Sequence, residues 1–419
     1  MGIVNPLVAT VASFSLLGIM LYKHVKLGVA LNVTAILLAL LAVDWPKIPE
    51  VVYASFNPST VGGQLTLSIV FATFGIMLLS QLYKETGVLD ELSASLGSII
   101  KNPKIILSVV PAVVGLLPVP GGAIMSAPIV DSEGEKLKLN SAKKAYANLW
   151  FRHVILPIYP LAPVFVVTIA LTGMTAPTLI LIQLPVVAVM TAVGYLISFR
   201  GGHGSEKNAF DPVNMADWKI KPFLKSFSPI LVTIVGAIGI SLADYEFSRR
   251  GIDVLAATIM GLTVLAAISK TSLKIFLNAL KSRAIYDIAF ATYGAFLIRS
   301  VVNASGFPEV LRELLSNGEA NLLGLIAAIP TIFSFLTGSP SGGVVIGTSV
   351  LGGIFNFMPR DVMLIYVGAY LGYLIAPTHL CFTFTAEYFK SSLGRVYAYL
   401  IPSFIASFAT AILLYLLLM

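Results

Sequence analysis

The chain has 419 residues, of which 57% are hydrophobic and only 11% are charged, and its mean hydropathy is +0.91. A soluble domain carries about 25% charged residues, so most of the surface of this protein cannot face water. The formal charge of +7 is typical of basic cytoplasmic loops in a membrane protein. A nucleic-acid partner is not expected, because no basic stretch is interleaved with aromatic residues.

Apolar segments with few or no charges predict ten membrane-spanning helices, since a span needs about 20 such residues. We expect the spans at 3–21, 27–43, 64–83, 145–171, 176–199, 225–243, 252–269, 285–302, 361–389 and 396–418. Segments 104–130 and 320–357 each carry a Pro/Gly-rich tip and predict helical hairpins. Segments 88–101 and 270–284 mix apolar and charged residues at helical spacing, which predicts helices along the cytoplasmic interface.

The second half of the chain repeats landmarks of the first. The stretch Ile69-Val-Phe-Ala-Thr-Phe-Gly75 recurs as Ile288-Ala-Phe-Ala-Thr-Tyr-Gly294, and nearly the same offset pairs Pro111 with Pro330 and Pro157 with Pro377. Five spans per half is an odd number, so the two copies must have opposite orientations. The sequence therefore predicts an all-α polytopic protein of two inverted repeats, each with a hairpin and a broken helix.

The predicted division of the chain is a first repeat at 1–200, a cytoplasmic linker at 201–224 and a second repeat at 225–419. With these spans, twenty lysines and arginines fall on one side of the membrane and six on the other. Because basic loops stay in the cytoplasm, we expect a multi-pass protein of the cell (inner or plasma) membrane with both termini outside the cytoplasm.

Four breaks interrupt the predicted helices at membrane depth. They are Leu117-Pro-Val-Pro-Gly-Gly-Ala123, Leu156-Pro-Ile-Tyr-Pro160, Thr337-Gly-Ser-Pro-Ser-Gly-Gly343 and Ala376-Pro-Thr-His379. Proline disrupts the helical ladder, and a broken helix is tolerated there only inside protein or beside water. Free amides at half-helix N-termini attract anions. We therefore predict binding of a small anionic molecule by Pro120, Gly121, Gly122, Arg152, Pro157, Tyr159, Ser339, Ser341, Gly342, Gly343 and Thr378.

Ionisable side chains inside a bilayer are costly and suggest function. Arg152 lies about one turn before Pro157 and suits an anion, although it could instead reach the interface or pair with Asp131. His153 and His379 are candidate proton carriers. The spacings Gly343/Gly347 and Gly368/Gly372 predict close helix packing.

This arrangement resembles the ion transporter superfamily of divalent-anion/sodium symporters, gluconate permeases, and arsenite and sodium/proton exchangers. The tips Pro120-Gly-Gly and Ser341-Gly-Gly are most similar to those of an uncharacterised integral-membrane family within it. The resemblance implies that both tips and both broken spans surround one midplane site. It also implies that the hairpin-bearing blocks move as an elevator against a dimeric scaffold.

One departure from that pattern concerns the coupling ion. Sodium-coupled dicarboxylate members carry Ser-Asn-Thr at both tips, whereas the first tip here has no side-chain oxygen until Ser126. This argues against two symmetric Na⁺ sites. Either one Na⁺ site at Thr337 and Thr378, or proton coupling through His153 or His379, stays open.

We predict a secondary active transporter of a small organic anion, such as a carboxylate or sugar acid, coupled to H⁺ or Na⁺. A cation/proton exchanger is the alternative, which an acidic residue at a break would favour. An intramembrane enzyme is disfavoured because four histidines, one cysteine and no hydrolase motif leave little to build a metal or nucleophile site. A channel is disfavoured because occluding hairpins are typical of transporters. No cofactor and no resident metal are expected; the partners are the substrate, membrane lipid and a second copy of the chain.

Overall fold

A computed structural model describes residues 4–100, 102–118, 122–200, 220–318 and 321–419. Within these ranges every regular element is helical, which confirms the predicted class of all-α polytopic membrane protein. Helices of the first half are α1 (Pro6–Tyr22), α2 (Leu27–Ala42), α3 (Ile48–Ala54), α4 (Val61–Glu85), α5 (Val88–Ile99), α6 (Pro103–Gly115), α7 (Ala123–Lys136), α8 (Ser141–Val154), α9 (Pro163–Thr172) and α10 (Ala176–Phe199).

The first described helix after residue 200 is α11, which covers the span predicted at 225–243 and is described from Ile220. Helices of the second half are α11 (Ile220–Ala243), α12 (Tyr245–Arg249), α13 (Ile252–Ser269), α14 (Leu273–Ala279), α15 (Arg283–Ala304), α16 (Phe307–Ser316), α17 (Leu322–Thr337), α18 (Pro340–Leu351), α19 (Pro359–Leu374), α20 (Leu380–Tyr388) and α21 (Leu393–Leu417). Residues 201–219 of the predicted linker lie outside the described residues.

Seven helical segments in the described ranges are long and apolar enough to cross a membrane, and each coincides with a predicted span. The other three predicted spans correspond to α1, α2 and the α19–α20 pair. Both predicted hairpin segments form helix pairs, α6–α7 and α17–α18, and both interfacial segments form short helices, α5 and α14. The short helices α3, α12 and α16 are additional to the predicted elements.

Equivalent helices of the two halves make equivalent contacts. α2 packs on α15 as α13 packs on α4, and each hairpin packs on the broken helix of its own half, α6 and α7 on α8 and α17 and α18 on α19. The Thr73 hydroxyl of α4 donates to the Thr292 hydroxyl of α15 over 3.1 Å, and these residues are 219 positions apart, which is the repeat offset. Residues at equivalent positions of the two repeats are therefore in direct contact between α4 and α15.

Glycine residues of α18 and α19 allow the backbones of these two helices to pack closely against α17. A Cβ atom on Gly343 would collide with Ser334 and with the Pro330 carbonyl, and one on Gly372 would collide with the backbone of Thr331. The predicted close packing at these spacings is confirmed. It fixes the second hairpin against α19, whose C-terminal end leads into the second break.

Candidate functional site

A cavity of about 700 Å³ lies where the helix breaks of the two halves meet. Its walls come from the α1–α2 connection, the end of α6, the break between α8 and α9, the start of α15, the tip between α17 and α18, and the break between α19 and α20. The structure brings together, at this cavity, the predicted site residues Arg152, His153, Tyr159, Thr337, Ser339, Ser341, Thr378 and His379.

The break between α8 and α9 contains Pro157 and Pro160. Neither proline has an amide hydrogen to donate to the carbonyl four residues earlier, as an α-helix requires. Pro157 cannot donate to the carbonyl of His153, and the hydroxyl of Tyr370 donates to it instead, over 2.8 Å. The carbonyl of Leu156, four residues before Pro160, accepts from the Tyr159 amide over 3.1 Å and also from the hydroxyl of Tyr366 over 3.3 Å. Tyr366 and Tyr370 belong to α19, so the second half of the chain stabilises the break in the first.

Replacing Tyr370 with phenylalanine is expected to destabilise the protein by roughly 1–3 kcal/mol, because the buried carbonyl of His153 would lose its donor. Thermal unfolding of the purified protein in detergent measures this change. Tyr195→Phe is the matched control, since Tyr195 is 41% exposed on α10 and its ring remains. Equal unfolding temperatures for the two variants would contradict the proposed role of the Tyr370 hydroxyl.

Arg152 is buried, with 4% of its surface exposed, so it does not extend to the interface. Its Nη2 donates weakly to the carbonyl of Leu117 over 3.4 Å, and its Nη1 has no hydrogen-bond partner among the described residues. Asp131 is 2.7 Å from Lys144, so pairing with Arg152 is not the arrangement found. Gly115 lies directly against the Arg152 backbone, where a side chain would collide. The guanidinium is thus held at the cavity without a counter-charge from the described chain.

The tip between α17 and α18 touches the break between α19 and α20. Gly338 has a φ of +62°, and a Cβ atom there would lie 2.5 Å from the Thr378 hydroxyl oxygen. That hydroxyl is buried and has no hydrogen-bond partner among the described residues. Ser339 caps α18, its hydroxyl accepting from the Gly342 amide over 3.3 Å. The N-terminus of α18 therefore lies at the cavity, with the Thr378 hydroxyl buried beside it against Gly338.

Two histidines from different halves meet at the cavity wall. The rings of His153 and His379 are 4.9 Å apart and nearly perpendicular, and the ring of Tyr373 lies 3.9 Å from that of His379. The Nδ1 of His153 is 2.7 Å from the Leu149 carbonyl, which can only accept, so Nδ1 carries the hydrogen. Neither ring nitrogen of His379 makes a hydrogen bond of normal geometry within the described chain.

Other predicted residues lie away from the cavity lining. Pro157 is buried beside the break, Gly342 packs near Thr337 and Leu27, and Gly343 packs against α17. Gly122 immediately precedes α7 and is not among the described lining residues. Pro120 and Gly121 lie outside the described residues.

Sequence reasoning did not place His24, Tyr370, Tyr373 or Cys381 at the site, yet all four line the cavity. The tyrosines could have been found from the α19 pattern, in which Tyr366, Tyr370 and Tyr373 recur at helical spacing on one face. Cys381 lies two residues after His379. A lone cysteine does not by itself indicate a binding site in a sequence.

The family described as "Protein of unknown function (DUF401)" matches residues 8–419. No curated protein matches the sequence significantly. Among solved structures, the fold is similar to that of the YdaH transporter of Alcanivorax borkumensis, with a TM-score of 0.57 and 15% sequence identity, covering 88% of this chain and 86% of that chain. At this identity the similarity concerns the fold.

Proposed function

This chain belongs to the DUF401 family, and from its central cavity we propose that it is a secondary active transporter of a small organic anion. The observation that carries the proposal is Arg152, a buried cation at the wall of a cavity between two broken helices, whose Nη1 has no hydrogen-bond partner among the described residues. A buried charge without a partner costs several kcal/mol. An anion that entered the cavity would supply the missing partner.

Further features of the cavity suit a carboxylate or sugar acid. The planar guanidinium offers a fork of donors that matches a carboxylate. The N-terminus of α18 adds a favourable dipole. Of its first amides only that of Ser341 has no hydrogen-bond partner among the described residues, since Pro340 has no amide hydrogen and the Gly342 and Gly343 amides bond to Ser339. The Ser341 and Thr378 hydroxyls lie at the same wall and can bond to sugar hydroxyls or carboxylate oxygens.

The charge balance of the lining disfavours the alternative, a cation/proton exchanger. The carboxylate described in the lining is that of Asp287, and both of its oxygens accept from Lys26, over 3.0 and 2.7 Å. An exchanger needs a carboxylate that can release its partner and bind a cation. The guanidinium of Arg152, by contrast, has no counter-charge among the described residues, which favours binding of an anion.

The proposed transport cycle is of the elevator type, as in the ion transporter superfamily. The similarity in fold to a protein described as a transporter supports it, as does the packing of each hairpin on the broken helix of its own half. The proposal includes opposite orientation of the two halves, a homodimeric scaffold, the cell inner membrane as location and both termini outside the cytoplasm.

Transport is proposed to be coupled to H⁺ or Na⁺. The cavity lining contains oxygen atoms that could coordinate Na⁺ and imidazole groups that could accept a proton. Hydroxyl oxygens of Thr337 and Thr378 lie at the second tip and break, where Na⁺ would be coordinated by oxygen. His153 and His379 also line the cavity and are the candidates for carrying a proton.

The test is a thermal-shift screen of the purified protein with carboxylates and sugar acids, with and without Na⁺ and across pH. A ligand that binds the folded state raises the unfolding temperature with its concentration, and we expect at least one organic anion to do so. The ligand found is then followed into proteoliposomes under imposed Na⁺ and pH gradients. Uptake indifferent to both gradients, or stabilisation by cations alone, would contradict the proposal.

A further inference from the structure

Three soft or borderline metal ligands converge at one wall of the cavity. Side-chain donor atoms of His153, His379 and Cys381 all lie within 4.8 Å of one another. Both histidines are buried, with 2% and 1% of their surfaces exposed, and Cys381 is half-buried. All three residues line the cavity. Residue counts alone argued against a metal site, because they could not show that these three residues meet.

Each ligand has an electron pair that no described hydrogen bond occupies. His153 donates its Nδ1 hydrogen to the Leu149 carbonyl, which leaves the lone pair on its Nε2. A backbone carbonyl on the other ring nitrogen is the usual outer partner of a metal-binding histidine. His379 is buried with neither ring nitrogen satisfied in the described chain, an arrangement that costs free energy unless a ligand completes it.

From this geometry we propose that His153, His379 and Cys381 form a binding site for a thiophilic transition-metal ion of the Zn²⁺ class. Two imidazoles and one thiolate match the ligand types of zinc sites with three protein ligands and one open position. Zn–N and Zn–S bonds of about 2.0–2.3 Å place tetrahedral ligand atoms roughly 3.5 Å apart. Closing the three donors around the ion therefore takes a movement of about 1 Å from the separation found.

The position of the site gives the ion a structural consequence. His153 belongs to α8 in the first half, whereas His379 and Cys381 lie at the start of α20 in the second. A bound ion would join the two broken helices across the cavity wall. Its open coordination position would face the cavity, where water or an anion would complete the tetrahedron, and an anion would also offset the positive charge of Arg152. The metal site is inferred independently of the transported substrate.

The test measures metal binding and needs no transport assay. Full-length protein carrying an affinity tag without histidine is titrated with Co²⁺ as a spectroscopic probe of the Zn²⁺ site. We expect one Co²⁺ per chain and a thiolate-to-metal charge-transfer band in the near ultraviolet. Cys381→Ser should abolish the band, and His379→Asn should weaken Co²⁺ binding at least tenfold. His24→Asn is the matched control, because His24 lines the same cavity outside the cluster, and it should leave the affinity unchanged.

A second measurement uses the wild-type protein, so it does not depend on the folding of a variant. Cys381 is the single cysteine of the chain, and its labelling by a maleimide should slow at least tenfold when Zn²⁺ is added and recover with a chelator. Mg²⁺ should have no effect, because it prefers oxygen ligands. A wild-type protein without a charge-transfer band and without Zn²⁺ protection would overturn the proposal. So would a band that survives Cys381→Ser, or an equal loss of affinity in His24→Asn.

Discussion

Replacing Arg152 with glutamine is expected to weaken binding of the anionic substrate by about 10- to 100-fold. Hydrogen bonds to a charged group contribute about 1.5–3 kcal/mol, and each 1.4 kcal/mol is a factor of ten in affinity. At concentrations that saturate the wild type, the ligand-induced rise in unfolding temperature should therefore be at most about half as large. Arg152→Lys should recover part of it, because it restores the charge without the planar fork.

The same substitution should have the opposite effect on the protein without ligand. Arg152 is buried and its Nη1 is unpaired in the described chain, so removing the charge relieves a desolvation cost. We expect an unchanged or higher unfolding temperature for ligand-free Arg152→Gln. Arg299→Gln is the control, because Arg299 lies on α15 beside a different cavity, and it should keep the ligand response. A strongly destabilised Arg152→Gln that still responds to ligand would assign this residue a structural role.

Replacing Gly338 with alanine is expected to reduce uptake into proteoliposomes at least tenfold. The methyl group would meet the hydroxyl and the backbone of Thr378 at 2.5 and 3.1 Å, so the second tip could not lie against the second break. If the two must come this close in each transport cycle, a cost of about 1.4 kcal/mol at that step already gives a tenfold loss of rate.

A matched control separates this clash from backbone strain. Gly318 also has a left-handed conformation, with a φ of +74°, but a Cβ atom there meets nothing within 4 Å. Both alanine variants pay the roughly 1–2 kcal/mol of the left-handed conformation, and only Gly338→Ala adds the collision. Uptake by Gly318→Ala should remain within about twofold of the wild type, since its strain lies outside the cavity. Similar losses in both variants would mean that contact between tip and break is not required.

The membrane architecture could be predicted from the chain because its signals are local. Uncharged apolar runs of spanning length indicate a membrane helix whatever surrounds them, and all seven long apolar helices fall on predicted spans. Proline and glycine act on their own backbone, so the breaks near Pro157 and Pro377 and the two hairpins could be located as well. The repeated landmarks predicted which residues of the two halves are equivalent, and the equivalent residues Thr73 and Thr292 are in contact.

The environment of the site could not be predicted, because it depends on pairs of residues far apart in the chain. Lys26 pairs with Asp287, and the Tyr370 hydroxyl satisfies the carbonyl that Pro157 leaves free. From the sequence, Arg152 could reach the membrane interface, pair with Asp131 or bind an anion at the site. Its burial, and the lack of a partner for its Nη1 among the described residues, distinguish these alternatives.

Sequence alone thus determined that this protein is a bundle of membrane helices interrupted at segments rich in proline and glycine, because hydrophobicity, proline and glycine act over a few residues. Tertiary structure decided which side chains those breaks bring together. His153 and His379 are more than 200 residues apart in the chain, yet their rings lie 4.9 Å apart. Such a meeting is set by how α8, α19 and α20 pack, and packing follows from the shapes of all the helices at once.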